Sequence, residues 1–122
     1  MTGEKLTAGQ IALLMAYAAA MALGQFLFKA AALRVPVGPL PERLGALLLD
    51  VVFWGALVLY AGLALAWVWI LTFTPLSRAY PFVAVAFALT PLMGGFFFGE
   101  PLTWRLALGI AVVFCGLVII VG

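Results

Sequence analysis

The sequence predicts an all-α membrane protein with four transmembrane helices, and three observations carry this prediction. First, 68% of the 122 residues are hydrophobic and 8% are charged, whereas about 25% of the residues in a soluble domain are charged. Second, the charged residues leave four uncharged runs, at 6–28, 51–77, 79–99 and 106–122, comparable in length to the ~20 residues that cross a bilayer as a helix. Third, the runs lack the period-two alternation of membrane barrel strands. We therefore expect one membrane domain over residues 1–122.

The helices are expected at about 7–33, 50–73, 78–98 and 103–121. The first run is longer than the ~7–15-residue apolar core of a signal peptide, so we interpret it as a span rather than a cleaved leader. The segment RVPVGPLPER at 34–43 predicts a loop, because it holds three prolines and a glycine; a short interfacial turn at 45–49 follows. Asp50 is placed to cap the second helix, and Ser77 and Thr103, each two residues after a proline, to cap the next two.

Composition also excludes several classes of function. The chain has no histidine and a single cysteine, Cys115. A Cys/His metal site, a disulfide framework within the chain and a nucleophile–histidine catalytic arrangement are therefore excluded. We expect no catalytic residue, no metal, no cofactor and no nucleic-acid partner. An even number of spans places both termini on one side, and the charge difference between the two sides is too small to predict the orientation.

Two polar residues in the first helix are candidates for a binding site, because polar groups are costly inside a bilayer. Gln25 and Lys29 are four residues apart and share a helix face. Both are hydrogen-bond donors, which suits an anionic or polyhydroxylated ligand. The alternative for Lys29 is that its ammonium extends to the lipid headgroups from the helix end.

Further candidates follow in the second and third helices. Trp67 shares a face with Tyr60, seven residues away, and lines either a cavity or a packed helix interface. Arg78 can hold a phosphate by paired hydrogen bonds, or serve as a plain interfacial anchor, and Tyr80 lies beside it. We expect the second and third helices to flank a cleft open to lipid, with Trp67 in contact with the ligand.

Small residues on the fourth helix predict a packing face. Gly109 and Gly116 are seven residues apart, a spacing that lets membrane helices approach closely. Four short helices cannot enclose a sizeable path alone, so we expect the chain to act as a dimer.

Three groups of residues in consistent order resemble a known superfamily. They are GQFLFKA at 24–30, Trp67 followed by Pro75 and by AYP at 79–81, and GEPLT at 99–103 followed by Gly109 and Gly116. Together they resemble the drug/metabolite transporter superfamily in its four-helix branch, which holds EamA-type and small multidrug resistance proteins. The first two groups are similar to those of the aminoarabinose-phosphoundecaprenol flippase subunits. The resemblance implies a small-multidrug-resistance-like bundle in the inner (plasma) membrane.

Two departures from these patterns bear on the substrate. Multidrug members carry an embedded glutamate eight residues before the lysine, and Met21 occupies that position here, which argues against proton-coupled export of cations. Ser77-Arg78 stands where the flippase subunits carry Gly-Ile, which adds a cation near the membrane surface.

The resemblance and the donor residues together predict a flippase for a polyprenyl-phosphate-linked sugar. Its substrate-binding residues would be Gln25, Lys29, Trp67, Arg78 and Tyr80, and Asp50 or Glu100 would receive an amine on the sugar. Two alternatives stay open: a multidrug-type exporter of small solutes or cations, and a non-transporting accessory subunit of a membrane complex. The expected partners are a lipid-linked sugar or another small amphiphile, membrane lipids, and a second chain, either identical or a similar four-helix protein.

Overall fold

The computed structural model describes residues 6–121, and within them every regular element is a helix. Four helices are long and apolar enough to cross a membrane, as the sequence predicts, and α4, a short turn and α5 together form the third of them. Lys5, one of the charges that enter the comparison of the two sides of the membrane, lies outside the described residues. The helices are α1 Ala8–Ala32, α2 Leu40–Leu48, α3 Val51–Leu71, α4 Leu76–Ala79, α5 Val83–Phe98 and α6 Trp104–Val121, with a 3₁₀ turn at Tyr80–Phe82 between α4 and α5.

Helix α1 is the centre of the bundle, because it packs against both α3 and α5, and α6 packs on the outer side of α5. Small side chains at Ala18 and Ala22 are fully buried on α1, and they let the neighbouring backbones approach. The buried core is Leu14, Ala18, Ile70, Ala79, Phe82, Val85, Ala86 and Leu117.

Helix α2 corrects the loop expected at 34–43. It begins at Leu40, and Pro41 lies in its first turn. A proline is tolerated there because the first N–H groups of a helix have no partner within it. The Glu42 carboxylate in the same turn is favourable at the positive end of the helix dipole.

The helix starts confirm two of the three caps that the sequence predicts. The Asp50 carboxylate accepts from Val52 N at 2.9 Å, and the Thr103 hydroxyl accepts from Leu106 N at 3.1 Å. The prediction for Ser77 is wrong, because α4 begins before it: Pro75 is already extended, with φ −61° and ψ 142°, and takes the capping position.

Candidate functional site

A cavity of about 350 Å³ lies between α1 and α5, near the end of the bundle where α1 terminates. We call it the polar cavity, because four polar side chains line it: Gln25 and Lys29 from α1, Thr90 from α5, and Glu100 from the segment after α5. The rest of its lining is Phe26, Phe28, Ala32, Met93, Gly94 and Phe98.

Gln25 is held in place by Tyr60 of α3. Its side-chain amide donates to the Tyr60 hydroxyl at 2.7 Å, and that hydroxyl donates to the Met21 carbonyl at 3.2 Å. Gly24 makes this contact possible, since a Cβ at that position would lie 2.5 Å from the Tyr60 ring. The adjacent glycine and glutamine therefore act together: the glycine admits the tyrosine ring and the glutamine binds its hydroxyl.

Lys29 and Glu100 form an ion pair across the cavity, with Nζ and Oε2 3.0 Å apart and both side chains a little under half exposed, 43% and 45%. Lys29 lies in the last turn of α1, where the helix dipole favours a cation. Gly99 ends α5 with φ 66° and lets Glu100 N donate back to the Gly94 carbonyl at 3.2 Å. Gly94 also leaves room for the Glu100 carboxylate, because a Cβ there would overlap it.

A second cavity of about 340 Å³ adjoins the first, with Gln25 and Thr90 lining both. We call it the apolar cavity. The Thr90 hydroxyl donates a hydrogen bond to Ala86 O at 2.8 Å, within its own helix. The rest of the lining is Met21, Val83, Ala86, Phe87 and Pro91. The two cavities lie between the first and third spans, which corrects the cleft expected between the second and third.

Comparison with known proteins shows the family to which this four-helix bundle belongs. The model of the EamA-like transporter family matches residues 2–122. The chain belongs to the EamA-like transporter family. With four apolar helices, it is a multi-pass protein of the inner membrane and a membrane transporter.

One relative of this EamA-like chain is the probable 4-amino-4-deoxy-L-arabinose-phosphoundecaprenol flippase subunit ArnE of Hamiltonella defensa subsp. Acyrthosiphon pisum (strain 5AT). The two are 37% identical over 65 residues, which cover 53% of this chain and 59% of the relative. The chain thus matches less than two thirds of that relative's length. No solved structure matches the chain.

In this EamA-like protein, only some of the residues expected to bind the substrate lie close together. Gln25, Lys29 and Glu100 line one cavity. Trp67 and Tyr80 contact each other instead, with ring centroids 6.3 Å apart, and Trp67 also packs on Tyr17 of α1 at 5.2 Å. Tyr17 precedes Gln25 by eight residues, about 12 Å along a helix, so this aromatic group lies in the other half of the bundle.

The other two charged candidates are engaged in the structure away from the cavity. Asp50 is 8% exposed, caps α3, and pairs with Arg34 Nε at 3.3 Å. The Arg78 guanidinium donates to the Ile120 carbonyl at 3.1 Å, which ties the start of the third span to the end of α6. Both side chains have structural partners where they stand.

The glycine face of α6 stays open within the chain. A Cβ at Gly109 or at Gly116 would meet nothing within 4 Å, so neither glycine is needed for packing within one copy. Gly94 and Gly95 differ, because Glu100 and Leu102 fold back onto them. Among the residues of α6, only Leu117 is buried.

Sequence reasoning missed Tyr60 as the partner of Gln25, and Thr90 as a lining residue. Thr90 carries a recognisable signal, since it is a hydroxyl residue directly before Pro91 in a long apolar run. Tyr60 carries a weaker one, because only the packing of α3 on α1 places its hydroxyl beside Gln25.

Proposed function

We propose that this chain is a subunit of a flippase that moves a polyprenyl-phosphate-linked sugar, aminoarabinose-like in its headgroup, across the inner membrane. In this proposal the polar cavity binds the phosphate and sugar, and the apolar cavity receives the first part of the prenyl chain. The role is non-enzymatic: it requires binding and release but no covalent step.

The observation that carries the proposal is that Gln25 and Thr90 line both cavities, so that a polar and an apolar cavity stand side by side. One half presents an ammonium, an amide and a carboxylate, and the other half is lined almost wholly by apolar side chains. A phosphate takes charge-assisted hydrogen bonds from an ammonium, and sugar hydroxyls bond to amide and carboxylate groups alike. An amphiphile with a charged head and a hydrocarbon tail matches this division. The name of the Hamiltonella relative points to the same class of substrate.

A multidrug-type exporter of cations is supported less well. Met21 lines the apolar cavity at the position where multidrug members carry a glutamate, and none of the side chains lining that cavity is charged. The acid that lines the polar cavity, Glu100, is already paired with Lys29. A bare organic cation would therefore meet an unpaired ammonium as soon as it took the carboxylate.

A second chain completes the proposed transporter. The open Gly109–Gly116 face of α6 suits close helix contact, either with another copy or with a similar four-helix protein. Helix α6 buries little of its own surface within one copy, which supports an assembly on this side.

The experiment is ligand-dependent thermal stability of the purified chain in lipid nanodiscs. A polyprenyl-phosphate-linked aminosugar should raise the free energy of unfolding by up to about 2.7 kcal/mol at one hundred times its Kd, while a quaternary ammonium compound should not. Lys29→Ala and Gln25→Ala should remove the effect. Arg43→Ala is the matched control, since Arg43 is an exposed cation of α2 that does not line the cavity.

Two results would overturn the proposal. Stabilisation by the quaternary ammonium compound alone would indicate the multidrug-type exporter. Lipid-linked sugar binding that appears only with a different partner chain, and is unaffected by Lys29→Ala, would indicate an accessory subunit.

A further inference from the structure

The Lys29–Glu100 ion pair joins the end of α1 to the segment after α5 across the polar cavity. Its two partners differ in how firmly they are placed. The backbone of Glu100 is fixed by the hydrogen bond to Gly94, by the left-handed turn at Gly99 and by the following Pro101, and its carboxylate lies against Gly94. Lys29 reaches it with a long side chain that has many rotamers. The ammonium can therefore reach a new anion, whereas the shorter Glu100 side chain holds its carboxylate near Gly94.

We propose that Glu100 is an internal competitor for Lys29, so that the ion pair selects for amphiphiles that bring their own anion. The proposal rests on the proposed function, since it concerns how the same cavity admits its ligand. An anionic headgroup replaces the Glu100 carboxylate as the partner of Lys29. A neutral headgroup, such as a free alcohol, has no charge to replace the carboxylate, so the Lys29–Glu100 ion pair stays in place across the cavity.

The physical reason is that a site rejects a ligand when charges inside it are left unpaired. For an anionic ligand the Lys29 ammonium exchanges one partner for another, so its charge is paired before and after binding. For a neutral ligand the ion pair must either stay in the way or be broken without replacement. By competing for Lys29, Glu100 thus weakens the binding of prenyl ligands that carry no sugar. The loss is smaller for a ligand with an anionic headgroup and larger for a neutral one.

The test is a double-mutant cycle with two prenyl probes of equal length, farnesyl phosphate and farnesol, bound to the full chain in nanodiscs. Glu100→Gln should tighten binding of farnesyl phosphate about two- to five-fold, the range of a half-exposed ion pair. Lys29→Met should reduce that gain. In the double variant, farnesol should bind at least as tightly as farnesyl phosphate, because neither charge remains in the cavity.

The cycle separates competition from simple repulsion between Glu100 and the phosphate. If Glu100 acts through Lys29, the gain in phosphate affinity from Glu100→Gln is larger in the parent than in the Lys29→Met background, where only repulsion between the carboxylate and the phosphate is removed. An equal gain in both backgrounds overturns the proposal, and so does an unchanged or weaker affinity of Glu100→Gln alone. Thermal unfolding of each variant shows that it is folded.

The proposed function and the selection by Glu100 fail in different ways. If the parent binds farnesyl phosphate and Glu100→Gln binds it no more tightly, only the selection is overturned. If Glu100→Gln binds the phosphate and the parent does not, the ion pair is a stronger barrier than expected and the selection is supported. If neither binds it, both proposals are wrong.

Discussion

The Tyr60 ring lies over Gly24, so close that a single Cβ on the glycine would stand 2.5 Å from the ring and 3.0 Å from its hydroxyl. This contact places the hydroxyl beside Gln25, the residue that lines both cavities. The geometry of the proposed site therefore depends on a residue without a side chain and on a helix, α3, none of whose residues line either cavity.

Gly24→Ala should displace the Tyr60 ring and destabilise the protein by about 1–3 kcal/mol, as overpacked cores do. Thermal unfolding in nanodiscs measures this. Gly62→Ala is the matched control, because a Cβ there meets nothing within 4 Å; alanine in an open helix position should stabilise by about 0.5–1 kcal/mol. Equal melting temperatures for the two variants would contradict the packing of Tyr60 on Gly24.

Tyr60→Phe should weaken binding of the lipid-linked ligand and lower the free energy of unfolding by about 1 kcal/mol, since Gln25 and the Met21 carbonyl both lose a partner. Tyr17→Phe is the control. Its hydroxyl also donates to a backbone carbonyl across the α1–α3 interface, that of Leu63 at 2.9 Å. The control should cost similar stability and leave ligand affinity unchanged, as measured by titration of both variants.

Asp50→Asn should leave ligand binding unchanged and lower stability by no more than about 1 kcal/mol, because asparagine caps a helix as well as aspartate does and only the pair with the exposed Arg34 is lost. Asp50→Ala should lose about 0.5–2 kcal/mol through the missing cap. Chemical unfolding compares the two. A loss of ligand affinity in Asp50→Asn would show instead that its carboxylate receives an amine of the substrate.

Gly109→Leu should weaken association between copies without changing the fold of one copy, since its Cβ position is open. Energy transfer between labelled chains in nanodiscs measures the association. Gly62→Leu on α3 tests the same change at another open glycine and should have little effect. If the α3 variant dissociates the assembly and the α6 variant does not, the interface lies on α3.

The four spans could be predicted from the sequence because charged residues mark their ends and lipid tolerates few alternatives to a helix. The shared face of Gln25 and Lys29 could be predicted too, since it follows from helix periodicity alone. The Lys29–Glu100 pair could not, because it depends on how closely α5 approaches α1 and on the backward turn at Gly99. Spacing also could not show that Trp67 and Tyr80 lie in the other half of the bundle from Gln25.

Helix α2 was missed for a different reason. Several prolines in a short segment indicate a loop as long as the position of a helix start is unknown. Pro41 is nevertheless compatible with a helix, because it lies in the first turn of α2. The α1–α5 position of the cavities was missed because Tyr60 and Trp67, the conspicuous aromatic residues of α3, both pack against α1. They fill the space beside it rather than leaving a cleft.

Within residues 6–121, both ion pairs lie at the end of the bundle where α1 terminates: Lys29 with Glu100 and Arg34 with Asp50. The opposite end is held by hydrogen bonds to uncharged acceptors, from Gln10 to the Phe73 carbonyl and from Arg78 to the Ile120 carbonyl. Dissolved electrolyte screens exposed charges beyond about 8 Å at physiological ionic strength and far more at molar concentration. Concentrated salt would therefore weaken the half-exposed Lys29–Glu100 pair first, while the buried Asp50 carboxylate and the hydrogen bonds at the opposite end are affected little.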